Sequence, residues 1–214
     1  MSSTTTIRHR SLAVPASLQA PLSVFRNDQA IKSHPNYIEA KAGNVDAAIQ
    51  LVSDLAVPLK MRMAEFDTTT IFVAPHARES AGDNAIPIVL SAYLAEHCGS
   101  LLDDEIVQAN RVYHTGADAM ERLIAPAEFE GEVVPNGRYV IVDDVMTLGG
   151  TIADLASYIQ VHGGSIVGIV TLVDASRSGS LVCKAKVVRE IDRRFGDEIR
   201  QQFGIEPNAL TAEE

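Results

Sequence analysis

The sequence predicts an α/β domain with an open, mostly parallel sheet flanked by helices. Two strongly apolar runs, residues 138–142 and 165–174, are separated by a glycine-containing turn and a helical segment at 151–162. A strand, a helix and a second strand within this length are typical of a right-handed crossover between parallel strands. A third short apolar run, 68–74, precedes another helical segment at 85–97 and fits a buried strand of the same sheet.

The helical segments are marked by apolar residues that recur at three- and four-residue steps. In residues 45–56 this spacing follows Asn44, a residue type that caps helix N-termini, and we expect an amphipathic helix there. The segment 85–97 has the same spacing and is followed by Gly99, which is typical of a helix end. The segment 151–162 completes the crossover unit described above.

Other elements are predicted from weaker patterns. We expect a short strand over residues 37–42, before Gly43, and an edge strand over 182–189. A further strand is expected over 106–112. The charged segment 191–203 has the composition of a helix.

The ends of the chain differ in composition from its middle. Residues 1–20 are rich in Ser, Thr, Ala and Pro without a clear period, and we expect a flexible arm. The main domain is expected over 21–180, followed by a tail at 181–214 with the edge strand and a helical part. Thr211 and Glu214 have the spacing that opens a capping box, so we expect this sequence to be part of a longer protein.

Bulk composition excludes several classes of protein. The net charge of -10 argues against broad nucleic-acid binding, which needs a basic face. The two cysteines, Cys98 and Cys183, form neither a disulfide framework nor a zinc-binding spacing. We find no apolar run long enough to span a membrane and no uninterrupted signal-peptide core before Pro21, so we expect a cytoplasmic protein.

The candidate ligand-binding residues of this sequence are concentrated in the segment 140–151. Asp143 and Asp144 follow the apolar run, and ligands of open parallel sheets bind beyond the carboxyl ends of the strands. Because neighbouring strand residues point to opposite faces, the two carboxylates need not share one role. We expect one to accept hydrogen bonds from a ribose diol, and the other to orient a metal-bound water or hold the loop.

The residues after the aspartates form a loop suited to an anion. Gly149 and Gly150 allow backbone N–H groups to converge, and the positive end of the next helix points to the same place. Thr147 and Thr151 add hydroxyl donors. The predicted phosphate-binding set is therefore Asp143, Asp144, Val145, Met146, Thr147, Leu148, Gly149, Gly150 and Thr151.

Two competing phosphate-binding motifs are absent from the sequence. The P-loop needs a lysine after its second glycine, and no lysine occurs between Lys60 and Lys184. The dinucleotide fingerprint needs three spaced glycines, which the run from Gly149 to Thr151 does not supply. A metal-binding strand of an ATPase or phosphatase remains an alternative for the two aspartates.

The segment 140–151 resembles the phosphoribosyl pyrophosphate (PRPP) signature of type I phosphoribosyltransferases. The likeness extends loosely over 68–175, and the stretch from Arg78 to Asn84 is most similar to the competence-associated (ComF-like) branch. The resemblance implies a Mg²⁺-dependent transfer of ribose 5-phosphate from PRPP to a nitrogenous base, with release of pyrophosphate. It also implies a small hood over residues 21–56 that recognises the base, and a homodimer, since family members are often dimers.

The resemblance also assigns roles to individual residues. Asp143, Asp144 and Arg78 are the expected catalytic residues, and Mg²⁺ would be held mainly by PRPP with one of the two carboxylates. The loop that contacts pyrophosphate corresponds to Pro75, His76, Ala77 and Arg78, although His76 fits an ordinary surface histidine equally well. Arg111 and Arg122 are candidates for a closing loop.

Two departures from the family pattern leave the substrate and the activity open. Enzymes that act on 6-oxopurines usually carry an aspartate where Thr147 stands, and orotate enzymes use loop lysines that this chain lacks between 61 and 183. Adenine, another base or an unusual acceptor all remain open. A non-catalytic regulator that binds PRPP or a nucleotide is the alternative function, and an accessory interaction module is a third.

Overall fold

Strands and helices alternate along most of the chain. The computed structural model describes residues 9–76, 84–110 and 123–214. Its elements are β1 (Leu22–Phe25), α1 (Gln29–Lys32), α2 (Tyr37–Lys41), α3 (Val45–Leu55), α4 (Val57–Lys60), β2 (Thr70–Val73), α5 (Ile86–Cys98), β3 (Leu101–Asp103), β4 (Val107–Gln108), β5 (Phe129–Glu130), β6 (Arg138–Met146), α6 (Gly150–Val161), β7 (Ser165–Asp174), α7 (Ala185–Phe203) and a 3-10 turn at Pro207–Ala209.

The main sheet has five strands in the order β1-β7-β6-β2-β3. Every neighbouring pair in it is parallel, which confirms the predicted α/β architecture. The two longest strands, β6 and β7, are hydrogen-bonded to each other and joined by α6. The short strands β4 and β5 form a separate antiparallel pair.

Helices cover both faces of the sheet. Adjacent strand residues point to opposite faces, so Val140 packs with Leu51 of α3 and Leu90 of α5, whereas Ile141 packs with Leu155 of α6. All five side chains are fully buried. The strands therefore have nearly continuous apolar sequences, as expected for a parallel sheet that is buried on both sides.

The predicted helix ends are confirmed where local chemistry determines them. The side chain of Asn44 accepts a hydrogen bond from the Ala47 N–H at 3.0 Å and caps α3. Helix α5 ends at Gly99, whose φ of 64° lies in the left-handed region that glycine adopts at helix C-termini.

The strand predicted at residues 37–42 is wrong, because this segment forms α2. On a strand, Ile38 and Ala40 would share a face. In the structure Ala40 is fully buried, whereas Ile38 is 78% exposed, as helical geometry allows. Glu39, Ala40 and Lys41 are good helix formers, and the helix they extend packs against α3.

The edge strand predicted at residues 182–189 is also wrong. Val182 forms only an isolated bridge with Thr211, and α7 begins at Ala185. Charged pairs spaced for a helix, such as Glu190 with Arg194 at 2.5 Å, support the helical conformation.

The strand expected over 106–112 is reduced to β4 within the described residues, and β3 joins the main sheet in its place.

The N-terminal arm is docked from Arg10 onward, which corrects the expectation of a flexible arm for those residues. Arg10 is 2% exposed, and its backbone N–H donates to the Gly204 carbonyl at 3.2 Å. Residues 22–25 lie in the main sheet as β1, so the hood remains a prediction for the helices that follow.

Among the helices that the structure describes, none combines the length and apolar character needed to cross a membrane.

Candidate functional site

The segment predicted to bind phosphate lies at the carboxyl end of β6, in the middle of the sheet. The strand continues through Asp143 and Asp144 to Met146, so it is longer than the predicted run 138–142. Asp143 pairs in register with Thr171 of β7, and Met146 pairs with Asp174. Both aspartates are therefore held by regular backbone hydrogen bonding rather than by a free loop.

Asp144 is a buried carboxylate with three hydrogen-bond donors. Its Oδ2 accepts from Lys41 Nζ at 2.9 Å and from Asn84 Nδ2 at 3.0 Å, while its Oδ1 accepts from the Val145 N–H at 2.9 Å. Burial would lower the pKa of Lys41, but the Asp144 carboxylate outweighs this effect and raises that pKa. The Lys41 side chain is therefore charged at neutral pH.

Asp143 has a different environment. Its Oδ1 accepts a hydrogen bond from the Asp144 N–H at 2.8 Å. Desolvation and the adjacent Asp144 charge raise the pKa of Asp143 well above the usual carboxyl value. The two neighbouring carboxylates thus differ in their hydrogen-bond partners.

The turn after β6 leads directly into a helix. Gly149 has a φ of 79° and is the N-cap of α6, which begins at Gly150. A Cβ atom on Gly149 would lie 2.3 Å from Leu181 Cδ1, so only glycine fits there. The first N–H groups of a helix have no partner within it and carry its positive dipole end, which makes this turn suited to an anion.

Two residues of the site were missed by sequence reasoning. Lys41 and Asn84 reach Asp144 from 103 and 60 positions away along the chain. The one available signal is the scarcity of lysine, because only Lys32, Lys41 and Lys60 precede Lys184.

The expected pyrophosphate loop is described only in part. Pro75 and His76 follow β2, which is the neighbour of β6 in the sheet. The His76 ring Nδ1 lies 2.9 Å from the Ala74 carbonyl oxygen, and the His76 carbonyl accepts from the Gln108 N–H at 2.8 Å. Ala77, Arg78, Arg111 and Arg122 lie outside the described residues.

The side chains at this site fit a metal ion that is held mostly by a ligand. Oxygen donors suit Mg²⁺, and Asp143 supplies a carboxylate at the carboxyl end of β6. Across residues 9–76, 84–110 and 123–214, no group of three or more His, Cys, Asp or Glu side chains is placed to bind a metal ion. An ion at this site would therefore need further oxygens from phosphate or water.

Comparison with known proteins identifies the family. The model of the phosphoribosyl transferase domain matches residues 93–206, which include the segment with the two aspartates. This chain belongs to the phosphoribosyl transferase domain family. The expected membership in the type I phosphoribosyltransferase superfamily is confirmed, while its likeness to the competence-associated branch stays a prediction.

Relatives of this phosphoribosyltransferase-family chain include longer proteins. It is 33% identical over 199 residues to protein TraN of Escherichia coli, covering 88% of this chain and 44% of TraN. An uncharacterized protein of Haemophilus influenzae is 37% identical over 131 residues, covering 59% of this chain and 29% of the relative. This chain thus spans less than half of the length of either protein.

The chain is also similar to named enzymes, over a shorter stretch or at a lower identity. Over 45 residues the chain is 42% identical to an orotate phosphoribosyltransferase of Pyrococcus abyssi, covering 21% of this chain and 25% of that enzyme. The solved adenine phosphoribosyltransferase of Saccharomyces cerevisiae is 15% identical, with a TM-score of 0.38, and covers 69% of this chain and 74% of its own.

Proposed function

We propose that this protein transfers ribose 5-phosphate from PRPP to a nitrogenous base, releases pyrophosphate and depends on Mg²⁺. The observation that carries the proposal is the arrangement of Asp143 and Asp144 at the carboxyl end of β6, directly before the Gly149–Gly150 turn into α6. In a member of the phosphoribosyl transferase domain family, that arrangement supports a site for a phosphorylated ribose.

In the proposed reaction, the bond between ribose C1 and the pyrophosphate oxygen breaks and a bond from C1 to a base nitrogen forms. The proton on that nitrogen passes to solvent. The Asp143 and Asp144 carboxylates accept hydrogen bonds from the ribose hydroxyls and so orient C1 toward the base. Mg²⁺, held mainly by PRPP with Asp143 or Asp144, would neutralise charge on the leaving pyrophosphate.

Lys41 supplies positive charge to a site whose protein carries a net charge of -10. Its ammonium is 2.9 Å from Asp144, and its side chain is 38% exposed, so it can move toward a bound phosphate oxygen. Because it lies on α2, this lysine is the structural link between the proposed hood, 21–56, and the ribose site. Arg78 remains the proposed partner of pyrophosphate, and Arg111 and Arg122 remain candidates for a closing loop.

The alternative is a PRPP- or nucleotide-binding regulator without turnover. Thr147, which is exposed at the end of β6, favours it because a hydroxyl cannot supply the acid/base chemistry of a carboxylate. The nitrogenous base as acceptor and a homodimer are parts of the proposal that rest on the family resemblance, whereas a cytoplasmic location is proposed from the sequence.

The test is a pyrophosphate-release assay with PRPP, Mg²⁺ and a panel of purine and pyrimidine bases. Turnover with any base, absent when PRPP is replaced by ribose 5-phosphate, supports the transferase. Tight PRPP binding by calorimetry without pyrophosphate release across the panel supports the regulator. Failure to bind PRPP with or without Mg²⁺ contradicts both functions.

A further inference from the structure

Two carbonyl groups of the turn into α6 are held by residues from the two ends of the chain. Thr211 Oγ1 donates a hydrogen bond to the Leu148 carbonyl oxygen at 2.7 Å. Arg10 Nη2 donates to the Gly150 carbonyl oxygen at 3.3 Å. The turn is thus anchored on one side by groups that lie 63 and 140 positions away in sequence.

Holding these carbonyls also orients two N–H groups. In a trans peptide the C=O of one residue and the N–H of the next point in opposite directions. The Leu148 carbonyl shares its peptide with the Gly149 N–H, and the Gly150 carbonyl shares its peptide with the Thr151 N–H. Both N–H groups are therefore directed away from Thr211 and Arg10.

The anchoring residues are themselves fixed by a buried ionic cluster. Arg10 Nε donates to Asp154 Oδ1 at 2.7 Å, and Arg10 Nη1 donates to Glu214 Oε2 at 2.6 Å. The Thr211 N–H donates to the same Glu214 oxygen at 2.9 Å. Burial would lower the pKa of Arg10, but the two carboxylates outweigh it and raise that pKa, so the guanidinium remains charged.

The same side of the turn is closed to ligands. A Cβ atom on Gly149 would lie 2.3 Å from Leu181 Cδ1, and one on Gly150 would lie 2.9 Å from Glu214 Oε1. With this side filled by protein, an anion can approach the two N–H groups only from the opposite side.

We propose that Thr211 and Arg10 are positioning residues, which set the Gly149 and Thr151 N–H groups toward the phosphate of a ribose 5-phosphate moiety. The inference rests on the proposed function and adds to it a role for both ends of the chain. Because the two N–H groups are already oriented, the turn loses less conformational entropy when the ligand binds. This lowers the free-energy cost of binding.

The experiment compares Thr211→Val, which removes the hydroxyl at nearly constant volume, with Thr211→Ser, which keeps it. Ser157→Ala is the control: Ser157 is equally buried, and its hydroxyl accepts the N–H groups of Ser11 and Leu12 without touching the turn. Calorimetry with ribose 5-phosphate measures affinity, and thermal melts measure stability.

We expect Thr211→Val to weaken ribose 5-phosphate binding by about fivefold, the value of one hydrogen bond. Thr211→Ser should bind like wild type, and Ser157→Ala should lose stability but not affinity. The positioning role is overturned if Thr211→Val binds like wild type, if Thr211→Ser binds as weakly as the valine variant, or if Ser157→Ala weakens binding to the same extent.

A second measurement needs no variant. Adding ribose 5-phosphate should shift the amide NMR signals of Gly149 and Thr151 more than that of Gly163, a glycine at the far end of α6. If ribose 5-phosphate binds but the Gly149 and Thr151 signals do not shift, the positioning role is overturned while the proposed function stands. If wild type binds neither ribose 5-phosphate nor PRPP, the proposed function fails and the inference fails with it.

Discussion

Asp143 destabilises the folded protein at neutral pH, and this cost is typical of a residue kept for binding. Its pKa is raised in the fold by burial and by Asp144. A group whose pKa is higher in the folded than in the unfolded state stabilises the fold only while it is protonated. The free energy of unfolding therefore falls as pH rises from the ordinary carboxyl pKa through the raised one.

We predict that Asp143→Asn melts at a higher temperature than wild type at about pH 8, and that this difference shrinks as the pH is lowered toward about 4. The amide is neutral throughout and avoids the repulsion from Asp144. Asp46→Asn, an exposed change in the first turn of α3, is the control and should bring no gain at pH 8. Equal melting temperatures of Asp143→Asn and wild type at both pH values would show that Asp143 is not strained.

The ion pair of Lys41 with Asp144 can have two effects on PRPP binding: the lysine can bind phosphate, or it can compete with the ribose for Asp144. If the lysine contributes to phosphate binding, Lys41→Met should weaken PRPP affinity by about fivefold, the value expected for a partly exposed charged hydrogen bond. Lys60→Met is the matched control, because Lys60 packs over the Tyr93 ring and its loss changes the net charge equally. Tighter PRPP binding by Lys41→Met would mean that the lysine only competes with the ribose for Asp144.

At the scale of elements, the turn between β6 and α6 is held in one conformation by packing as well as by its backbone angles. Gly149 and Gly163 both have positive φ, 79° and 91°, so alanine is strained at either position. Only at Gly149 would the added Cβ meet a neighbour, because nothing lies within 4 Å of the corresponding position at Gly163.

We therefore predict that Gly163→Ala lowers the free energy of unfolding by about 1–2 kcal/mol, the cost of the left-handed conformation. Gly149→Ala should lose about 1–3 kcal/mol more, because Leu181 must shift, and it should also lose PRPP affinity. Urea denaturation of both variants measures the difference. Equal losses would show that Leu181 yields freely and that the turn is less confined than the distances indicate.

The cluster of Arg10, Asp154 and Glu214 joins the N-terminal arm, α6 and the last residues of the chain. Its Arg10 and Asp154 side chains are 2% and 3% exposed. Removing the cation leaves buried carboxylates without a partner, so Arg10→Met should cost about 3–5 kcal/mol in urea denaturation. Arg193→Met removes an exposed pair with Glu190, which solvent screens, and should cost far less. Comparable losses would contradict the structural role of the buried cluster.

Elements with strong local signals were predicted from the sequence, whereas those determined by distant contacts were not. Asn44 and Gly99 act on their immediate neighbours, so the ends of α3 and α5 could be derived from residue chemistry. The segment that forms α2 combines two strand-forming residues, Tyr37 and Ile38, with three helix formers, and the helix places Ala40 in the core beside α3. No pattern within five residues contains that information.

At the scale of the whole molecule, the same division applies to the candidate site. The contiguous segment 140–151 is visible in the sequence, and the sheet order places it at the centre of the carboxyl edge. Only the folded chain brings four distant residues, from up to 140 positions away, into contact with this segment: Lys41, Asn84, Thr211 and Arg10. Their side chains are of common types, so only the assembled structure distinguishes them from ordinary surface residues.

The fold also offers a local site for the anion that we propose this acidic protein binds. The net charge of -10 repels phosphate over long distances. At the turn, however, the dipole of α6, its first N–H groups and the Lys41 ammonium act over a few ångströms, where local donors outweigh the average field. Binding should therefore depend on this one turn rather than on the surface as a whole.

The most direct test is a calorimetric titration of PRPP with Mg²⁺ into wild type and into the double variant Asp143→Asn, Asp144→Asn, with thermal melts confirming that both are folded. Saturable binding by wild type and a loss of at least about tenfold in the double variant are expected, since two charged acceptors for the ribose hydroxyls are removed. Equal affinity of the two proteins for PRPP would contradict the assignment of the ribose-phosphate site to this segment.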